Sequence, residues 1–282
     1  MLQTCNLTNV QLAQKAAEIR KTLLNMVYAG KTGHTGGALS SADILTVLFY
    51  KILRINPENP KWVDRDRFIL SKGHCVEGYY SILADLGFFP KEELKTFSHY
   101  NSRLIGHPSI KVPGVEMNTG ALGHGLPCAV GMALGARMNK QDVKVYCLMG
   151  DGEQAEGSVW EAAMAASNFG LDNLTAIIDR NHLQISGNTE CVMKLESLAG
   201  KWEAFGWDVY SVNGHNYEAL VNLFESPVVP GKPRLVIAET IKGKGVSFME
   251  NNAKWHHGVP TAEQLEQCMS EIEAAREVEA YE

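Results

Sequence analysis

A strand–turn–helix–strand pattern in the middle of the chain constrains its fold most. An apolar, β-prone run over residues 143–149 ends at Gly150-Asp151-Gly152, and an alanine-rich stretch over residues 157–168 follows with helical spacing. A second apolar run, over residues 174–178, leads directly to Asn181. Two apolar strands joined through a helix are typical of parallel sheets, because a parallel connection has to cross over the sheet. The pattern therefore predicts an α/β protein with a parallel sheet.

Asp151 and Asn181 follow the ends of the two predicted strands. The carboxyl ends of parallel strands meet at one edge of a sheet, where α/β proteins bind ligands. The glycines around Asp151 let the backbone approach a phosphate, and the next helix offers free N–H groups to an anion. Carboxylate and amide oxygens suit Mg²⁺ or Ca²⁺. These residues predict a site for a divalent metal and a diphosphate; a plain βαβ unit with a glycine turn is the alternative.

The same residues resemble the thiamine-diphosphate motif, which begins Gly-Asp-Gly and ends in Asn about thirty residues later, as Asn181 follows Asp151. From about Ala17 to Gly258 the chain resembles the transketolase family, in a short form that covers only the N-terminal, diphosphate-binding part. The resemblance implies a thiamine-diphosphate-binding fold with a central parallel β-sheet and helices on both faces. It also implies a single domain over residues 1–282 with a helical tail from about residue 261.

The resemblance assigns cofactor contacts to particular residues. The segment that ends at His74 closely matches a family segment whose final His reaches the diphosphate. Gly120 and Leu122 match positions that pack against the aminopyrimidine ring, and Leu183 matches one that gives a backbone carbonyl to the metal. The implied cofactor-binding residues are His74, Gly120, Leu122, Gly150, Asp151, Gly152, Glu156, Asn181 and Lys242, and the implied metal ligands are Asp151, Asn181 and Leu183.

Two of the charged residues near these motifs admit two interpretations, and the resemblance gives a third residue, Glu156, an interface role. Lys72 and Lys242 are cations close to the implied phosphate contacts, and the alternative for each is a solvated loop lysine. The acid that matches Glu156 lies at the subunit interface of transketolases, where it helps to connect paired active sites. Its place in the motif also puts it beside the cofactor.

Several histidines match the substrate side of the transketolase site. His34 lies in a glycine- and threonine-rich segment that matches a Ser-Gly-His-Pro-Gly segment, although Thr35 replaces the proline. His107 matches a Gly-His-Pro loop between cofactor and substrate. A Trp-His-Gly element ends the loop after the last predicted strand, and because its histidine is doubled here, both His256 and His257 match. Histidine suits proton transfer near neutral pH, so all four are implied catalytic residues.

The resemblance also implies an activity that needs a second polypeptide. A partner subunit with the pyrimidine-binding domain would supply the activating Glu, in an α2β2 heterotetramer. The pair would use thiamine diphosphate and Mg²⁺ or Ca²⁺ to move a two-carbon ketol unit from a ketose phosphate to an aldose phosphate. A pentose phosphate is the default donor, and a modified or sulfo-sugar phosphate stays open. The other interpretations are the α chain of a 2-oxoacid dehydrogenase, a deoxyxylulose-phosphate synthase and a non-catalytic cofactor-binding protein.

Composition narrows the class of protein. The formal net charge of −6 gives no basic surface for nucleic acid. No apolar run reaches the roughly 18 residues that cross a membrane, and the first residues lack the pattern of a signal peptide. The six cysteines form no CxxC pair, which favours reduced thiols over a zinc site. We therefore expect a cytoplasmic enzyme that binds neither nucleic acid nor membranes.

The remaining pattern predicts further elements of the α/β fold. Helical spacing covers residues 7–29, and Ser40-Ser41 precede a helix that runs to about Leu53, in the position of N-terminal caps. Further strands are predicted near residues 207–212 and 234–240. Between them, His215 precedes a predicted helix and has the position of a capping residue.

Overall fold

The computed structural model of the protein describes residues 7–279. Its centre is a five-stranded sheet in which all neighbouring strands are parallel, with the spatial order β1-β2-β3-β7-β6. A two-residue antiparallel pair, β4 with β5, lies beside it. The strands are β1 (Arg67–Leu70), β2 (Val145–Gly150), β3 (Leu174–Arg180), β4 (Leu183–Gln184), β5 (Gly187–Asn188), β6 (Asp208–Asn213) and β7 (Arg234–Glu239).

The register of the sheet places the ends of its central strands side by side. Gly150 at the end of β2 lies opposite Asp179 in β3, which in turn lies opposite Ala238 in β7. The residues that follow these strands, Asp151 and Asn181 among them, therefore emerge at one edge. The predicted βαβ unit is confirmed, but β3 runs two residues further than the apolar pattern indicates and is buried throughout.

Helices cover the sheet and the loops between its strands. The α-helices are α1 (Asn9–Gly30), α2 (Thr35–Ser40), α3 (Ala42–Val47), α4 (Val76–Asp85), α5 (Gly125–Met138), α6 (Gly157–Asn168), α7 (Thr189–Val192), α8 (Leu198–Ala204), α9 (Tyr217–Glu225) and α10 (Ala262–Glu279). A π-helical turn (Leu48–Ile52) and four 3₁₀ turns (Gly73–Cys75, Lys91–Thr96, Gly152–Ala155 and Ala253–His256) complete the described elements. The predicted C-terminal helix is present as α10, which packs against α1.

Two hydrophobic cores lie on opposite faces of the sheet. Along β2 the side chains alternate, so that Leu148 belongs to one core while Cys147 and Met149 belong to the other. Helices α1, α3, α4 and α9 supply the first core, and α5, α6 and α8 supply the second. Leu148 and Met149 are fully buried, and each such side chain stabilises the fold by about 1.5–3 kcal/mol. The predicted fold class, a parallel sheet with helices on both faces, is confirmed.

The serines before α3 do not have the role that the sequence predicts for them. Helix α2 already begins at Thr35, so Ser40 and Ser41 lie within a nearly continuous helical run. Their hydroxyls donate back to the carbonyl of Gly37, over 3.0 and 2.8 Å. Serine in a helix often bonds to the preceding turn, which is why the predicted N-terminal cap is wrong.

Among residues 7–279, none of the helices has the length and apolarity needed to cross a bilayer.

Candidate active site

A cavity of about 500 Å³ opens at the carboxyl edge of the sheet. Its wall is built by the loops that follow β1, β2, β3 and β7, by the loop before α5 and by the segment that enters α2. The predicted site residues in the wall are His34, His74, His107, Gly120, Leu122, Gly150, Asp151, Gly152, Glu156, Asn181, Leu183, Lys242 and His256. His257 is exposed beside the cavity. The fold thus brings together motifs that are separated by more than 200 residues in the chain.

Histidine rings form a cluster in this wall, with His34 at its centre. The centroid of the His34 ring lies 5.1 Å from that of His74, 6.1 Å from that of His107 and 5.7 Å from that of His256. His34 precedes α2, and its backbone pairs with Gly258 in an isolated parallel bridge. The loop near the start of the chain is therefore joined directly to the loop that ends the site.

Burial holds these histidines in the neutral form. Desolvation, with the neighbouring histidines second, lowers the pKa of His34 to about 3. Desolvation and the ammonium of Lys72 lower the pKa of His74 to about 4, and desolvation and Lys242 lower that of His256 to about 3. The pKa of His107 is lowered as well, mainly by burial. At neutral pH each ring therefore offers one N–H donor and one acceptor to a ligand in the cavity.

The two histidines of the doublet occupy different places. His256 lines the cavity, and its Nδ1 lies 3.3 Å from Nζ of Lys242. His257 is exposed, with its Nε2 3.2 Å from Oγ1 of Thr32, although its ring centroid lies 4.8 Å from that of His34. This geometry favours His256 as the ring that meets a ligand in the cavity.

The predicted metal ligands present oxygens of three kinds. Asp151 is buried; its Oδ1 accepts from the N–H of Gly152 and its Oδ2 from that of His182, over 2.7 and 2.6 Å. Oδ1 of Asn181 accepts from the N–H of Leu183 over 3.1 Å, which orients the amide, and the Leu183 residue itself lines the cavity. One carboxylate, one amide and one carbonyl are hard donors that fit Mg²⁺ or Ca²⁺. In the described part of the chain no three His, Cys, Asp or Glu converge on a metal site.

Both lysines of the cavity are buried, so the interpretation as solvated loop lysines is wrong. Lys72 forms an ion pair with the buried Asp179 and donates to the carbonyl of Gly37 over 3.0 Å. Burial lowers and Asp179 raises the pKa of Lys72, and the net shift is upward. Lys242 is 2% exposed and directs its ammonium to the carbonyl of Leu183, 3.2 Å away. The cavity therefore holds two desolvated cations beside its metal-type oxygens.

Glu153 is a site residue that the sequence reasoning missed. Its Oε1 accepts from the hydroxyl of Ser71 and from the N–H of Gly123, the latter over 2.8 Å, and its Oε2 accepts from the N–H of Gly150 over 3.0 Å. These donors lie in the loop after β1, in the loop before α5 and at the end of β2. The one available signal was the position of Glu153 directly after the Gly-Asp-Gly turn.

Asp179 also joins several segments of the chain, because its carboxylate accepts hydrogen bonds from three side chains. It accepts from the hydroxyls of Ser40 and Thr240 as well as from Lys72. The predicted apolar run ended before it, so the sequence assigned it no function.

Gly120 supports the position of His107. Its φ of +145° is a conformation that side-chain-bearing residues rarely adopt. A Cβ at this position would lie 2.7 Å from Cδ2 of His107. Glycine is therefore required for the imidazole to lie where it does.

Replacing Glu77 with Gln should flatten the dependence of stability on pH. Glu77 is fully buried and accepts from the backbone N–H of His34 over 2.8 Å, and burial raises its pKa from 4.5 to about 8. Between those values the folded state binds more protons than the unfolded state, so rising pH lowers the free energy of unfolding by on the order of 1 kcal/mol per unit. Urea unfolding at pH 5 and pH 8 measures this effect. The native chain should lose stability between the two pH values, whereas Glu77→Gln should lose less. An equal pH dependence in both would contradict this, and Glu92→Gln, at an exposed acid, is the control.

Comparison with known proteins identifies the family of the chain. The family model "Transketolase, thiamine diphosphate binding domain" matches residues 12–276. One of the subunits of the apulose-4-phosphate transketolase of Phocaeicola vulgatus is 56% identical over 254 residues, which cover 90% of this chain and 90% of that protein. The 6-deoxy-6-sulfo-D-fructose transketolase subunit SqwG of a Clostridium species is 41% identical and covers 94% of this chain and 97% of its own.

Solved structures show the same relation at the level of the fold. The transketolase of Campylobacter jejuni superposes with a TM-score of 0.89 at 36% identity, over 94% of this chain and 43% of that one. The chain thus spans less than half the length of this transketolase but nearly the whole length of the subunit relatives. The chain belongs to the transketolase family, as the thiamine-diphosphate-binding subunit of a split transketolase.

Proposed function

We propose that this chain binds thiamine diphosphate with Mg²⁺ or Ca²⁺ and, with a partner subunit, transfers a two-carbon ketol unit from a ketose phosphate to an aldose phosphate. The observation that carries the proposal is the composition of the cavity. Metal-type oxygens and buried lysines line one part of it, and neutral histidines line another. A diphosphate and a sugar therefore each have complementary groups in the same space.

The first group of residues holds the cofactor in this proposal. Asp151, Asn181 and the carbonyl of Leu183 bind the metal, while His74 and Lys242 contact the diphosphate. The further predicted contacts are Gly120, Leu122, Gly150, Gly152 and Glu156. When bound, thiamine diphosphate supplies the nucleophilic carbon that attacks the ketose carbonyl.

The histidines handle the hydroxyls and protons of the sugar. Burial keeps His34, His107 and His256 neutral near pH 7, so each has one ring nitrogen that accepts a hydrogen bond from a substrate hydroxyl and one N–H that donates a hydrogen bond. The His34 ring lies beside His107 and His256 and also beside His74, which contacts the diphosphate in this proposal. We assign the substrate-facing role to His256 within the doublet, with His257 at the rim.

The partner in this proposal carries the pyrimidine-binding domain and the activating Glu, in an α2β2 heterotetramer. Two of the residues that line the cavity support a site completed by another chain. Ile185 is a large apolar side chain that is 69% exposed at the cavity, and Glu156 there is exposed too. Exposed apolar surface beside a polar site is typical of an interaction surface. The five described cysteines are free, which fits a cytoplasmic location.

The names of the relatives guide the choice of donor. Both similar subunits are named for ketoses other than the common pentose phosphates, apulose 4-phosphate and 6-deoxy-6-sulfo-D-fructose. Because the first relative is 56% identical, apulose 4-phosphate is the donor we propose. A screen of apulose 4-phosphate, 6-deoxy-6-sulfofructose and xylulose 5-phosphate with a fixed aldose phosphate acceptor ranks the three by kcat/KM.

The purified chain should be inactive alone and gain ketol-transfer activity when the partner subunit is added. The reason is that the activating Glu lies on the partner. The measurement is a coupled assay with thiamine diphosphate and Mg²⁺, using a candidate partner of about 300 residues, which we expect a neighbouring gene to encode. Added EDTA should remove the activity. Full activity of the chain alone would overturn the split-enzyme proposal, and release of CO₂ from a 2-oxoacid would favour the dehydrogenase interpretation instead.

A further inference from the structure

A buried polar cluster lies behind the cavity wall, between α1, α3 and α9. At its centre is Asp43, which is 2% exposed. The Asp43 carboxylate accepts two hydrogen bonds from the Arg20 guanidinium, over 2.9 and 2.6 Å, and one from Nδ1 of His215, over 2.7 Å. The hydroxyl of Tyr217 donates to it as well. A carboxylate with this many donors is fixed in place, so it can orient the side chains that contact it.

Two of those side chains, Arg20 and His215, also form hydrogen bonds with the backbone of residues 241–244. Nε2 of His215 accepts from the N–H of Ile241 over 2.9 Å, and Nε of Arg20 donates to the carbonyl of Lys244 over 3.2 Å. His215 thus carries its proton on Nδ1, because Nε2 has to accept. It does not cap α9, since the cap is Oδ1 of Asn216. Asp43, Arg20 and His215 together form a clamp on both ends of residues 241–244.

The clamped segment carries Lys242 in its middle. Its backbone is fixed further, because Gly243 donates to the carbonyl of Gly36 over 2.9 Å and Asn251 donates to that of Lys242 over 2.9 Å. Gly243 has a φ of +80°, and a Cβ there would lie 2.4 Å from the carbonyl oxygen of Met249. The turn is therefore tight, and the Lys242 side chain enters the cavity from a rigid base.

We infer that the clamp positions Lys242 for an anionic ligand, with Arg20 and His215 as positioning residues that touch neither cofactor nor substrate. The inference rests on the proposed function, in which that anion is the diphosphate of the cofactor. A lysine loses considerable side-chain freedom when it is ordered on binding. A backbone that already aims the ammonium lowers this cost and raises affinity.

A double-mutant cycle tests the inference. Calorimetry measures the affinity of the reconstituted enzyme for thiamine diphosphate with Mg²⁺ in the native protein, His215→Phe, Lys242→Met and the double variant. We expect each single variant to bind about tenfold more weakly, and the double variant to bind no more weakly than Lys242→Met, because His215 acts through Lys242. For His215→Phe, kcat at saturating cofactor should stay unchanged. Losses that multiply in the double variant, or unchanged affinity of His215→Phe, would overturn the clamp.

A control and a second measurement separate this role from general stability. Asn216→Ala removes the cap of α9, because Oδ1 of Asn216 accepts from the N–H of Ala219 over 2.9 Å. This residue is next to His215 in the chain but makes no contact of the clamp with residues 241–244. The substitution should lower the melting temperature and leave cofactor affinity unchanged. In the cofactor-free chain, the Ile241 amide should exchange its hydrogen faster in His215→Phe than in the native protein, while the amides of β7 should exchange at the native rate. His215→Gln replaces His215→Phe if the latter does not fold. Unchanged exchange at Ile241 would refute the clamp, whereas a native protein that does not bind thiamine diphosphate would refute the proposed function alone.

Discussion

Replacing Asp151 with Ala should abolish metal-dependent binding of thiamine diphosphate. Asp151 is the one carboxylate in the predicted donor set, and Asn181 and Leu183 contribute neutral oxygens. Without the Asp151 carboxylate, the site attracts a divalent cation only weakly. Because the cation also binds the diphosphate, its loss weakens the binding of the cofactor. We expect affinity to fall by at least about 100-fold, or about 2.7 kcal/mol. Calorimetry on the reconstituted enzyme, with Mg²⁺ and then with EDTA, measures the effect.

The fold should tolerate this change. Arg180, which lies 3.3 Å from Asp151, keeps its hydrogen bonds to Thr189, Glu190 and Glu196. Asp151→Asn preserves the shape and removes only the charge, so it should lose most of the affinity too. The matched control is Asp142→Ala, which changes an acid that is 92% exposed near the opposite end of the same strand. Equal affinities in Asp151→Ala and the control would contradict the metal site.

Replacing Lys72 with Met should destabilise the protein by about 3–5 kcal/mol, because it leaves Asp179 charged and buried without its cation. Lys72 is 2% exposed and Asp179 is fully buried. The Lys72 ammonium favours the ionised carboxylate, and although burial opposes this, the pKa of Asp179 is lowered. The contribution of Asp179 to stability is thus fully present above its unfolded pKa and is lost as pH falls through the lower folded value. Urea unfolding at pH 7 measures the full loss.

An exposed pair provides the comparison for this experiment. Lys91 is paired with Asp85 over 2.6 Å, but 62% of its side chain is exposed. Lys91→Met should therefore cost less than about 1 kcal/mol. Adding Asp179→Asn to Lys72→Met should recover part of the stability, since the uncompensated charge is removed. Equal losses for the two lysine variants would show that the buried pair does not stabilise the fold.

The sequence predicts the sheet and the position of the site well, because both follow from local patterns. Apolar runs of strand length locate β2, β3 and β7, and the polar residues after them meet at one edge of a parallel sheet. Asp151 and Asn181 line the cavity because they directly follow strands, and His74 lies in the short turn that comes soon after β1. Their roles toward metal and cofactor stay predictions until binding is measured.

The sequence does not predict contacts that depend on packing between distant segments. Glu153 meets Ser71, 82 residues away, and Asp179 meets Ser40, 139 residues away. Such pairs have no periodic signature in the chain. The His256–His257 doublet is symmetric in sequence, and only the course of the loop decides which ring lines the cavity. The sequence around Lys72 and Lys242 fits a solvated lysine and a buried one equally well until the fold is known.

The contacts of Glu153 also limit how this enzyme can be engineered. One carboxylate receives donors from Ser71 in the loop after β1, from Gly123 in the loop before α5, and from Gly150 at the end of β2, in the same turn as Glu153 itself. A chimera that takes either of the two distant loops from a relative with a different donor geometry would leave a buried oxygen unsatisfied, at a cost of about 1–3 kcal/mol. Exchanging substrate preference between split transketolases therefore requires moving the two loops together with the turn that carries the acid.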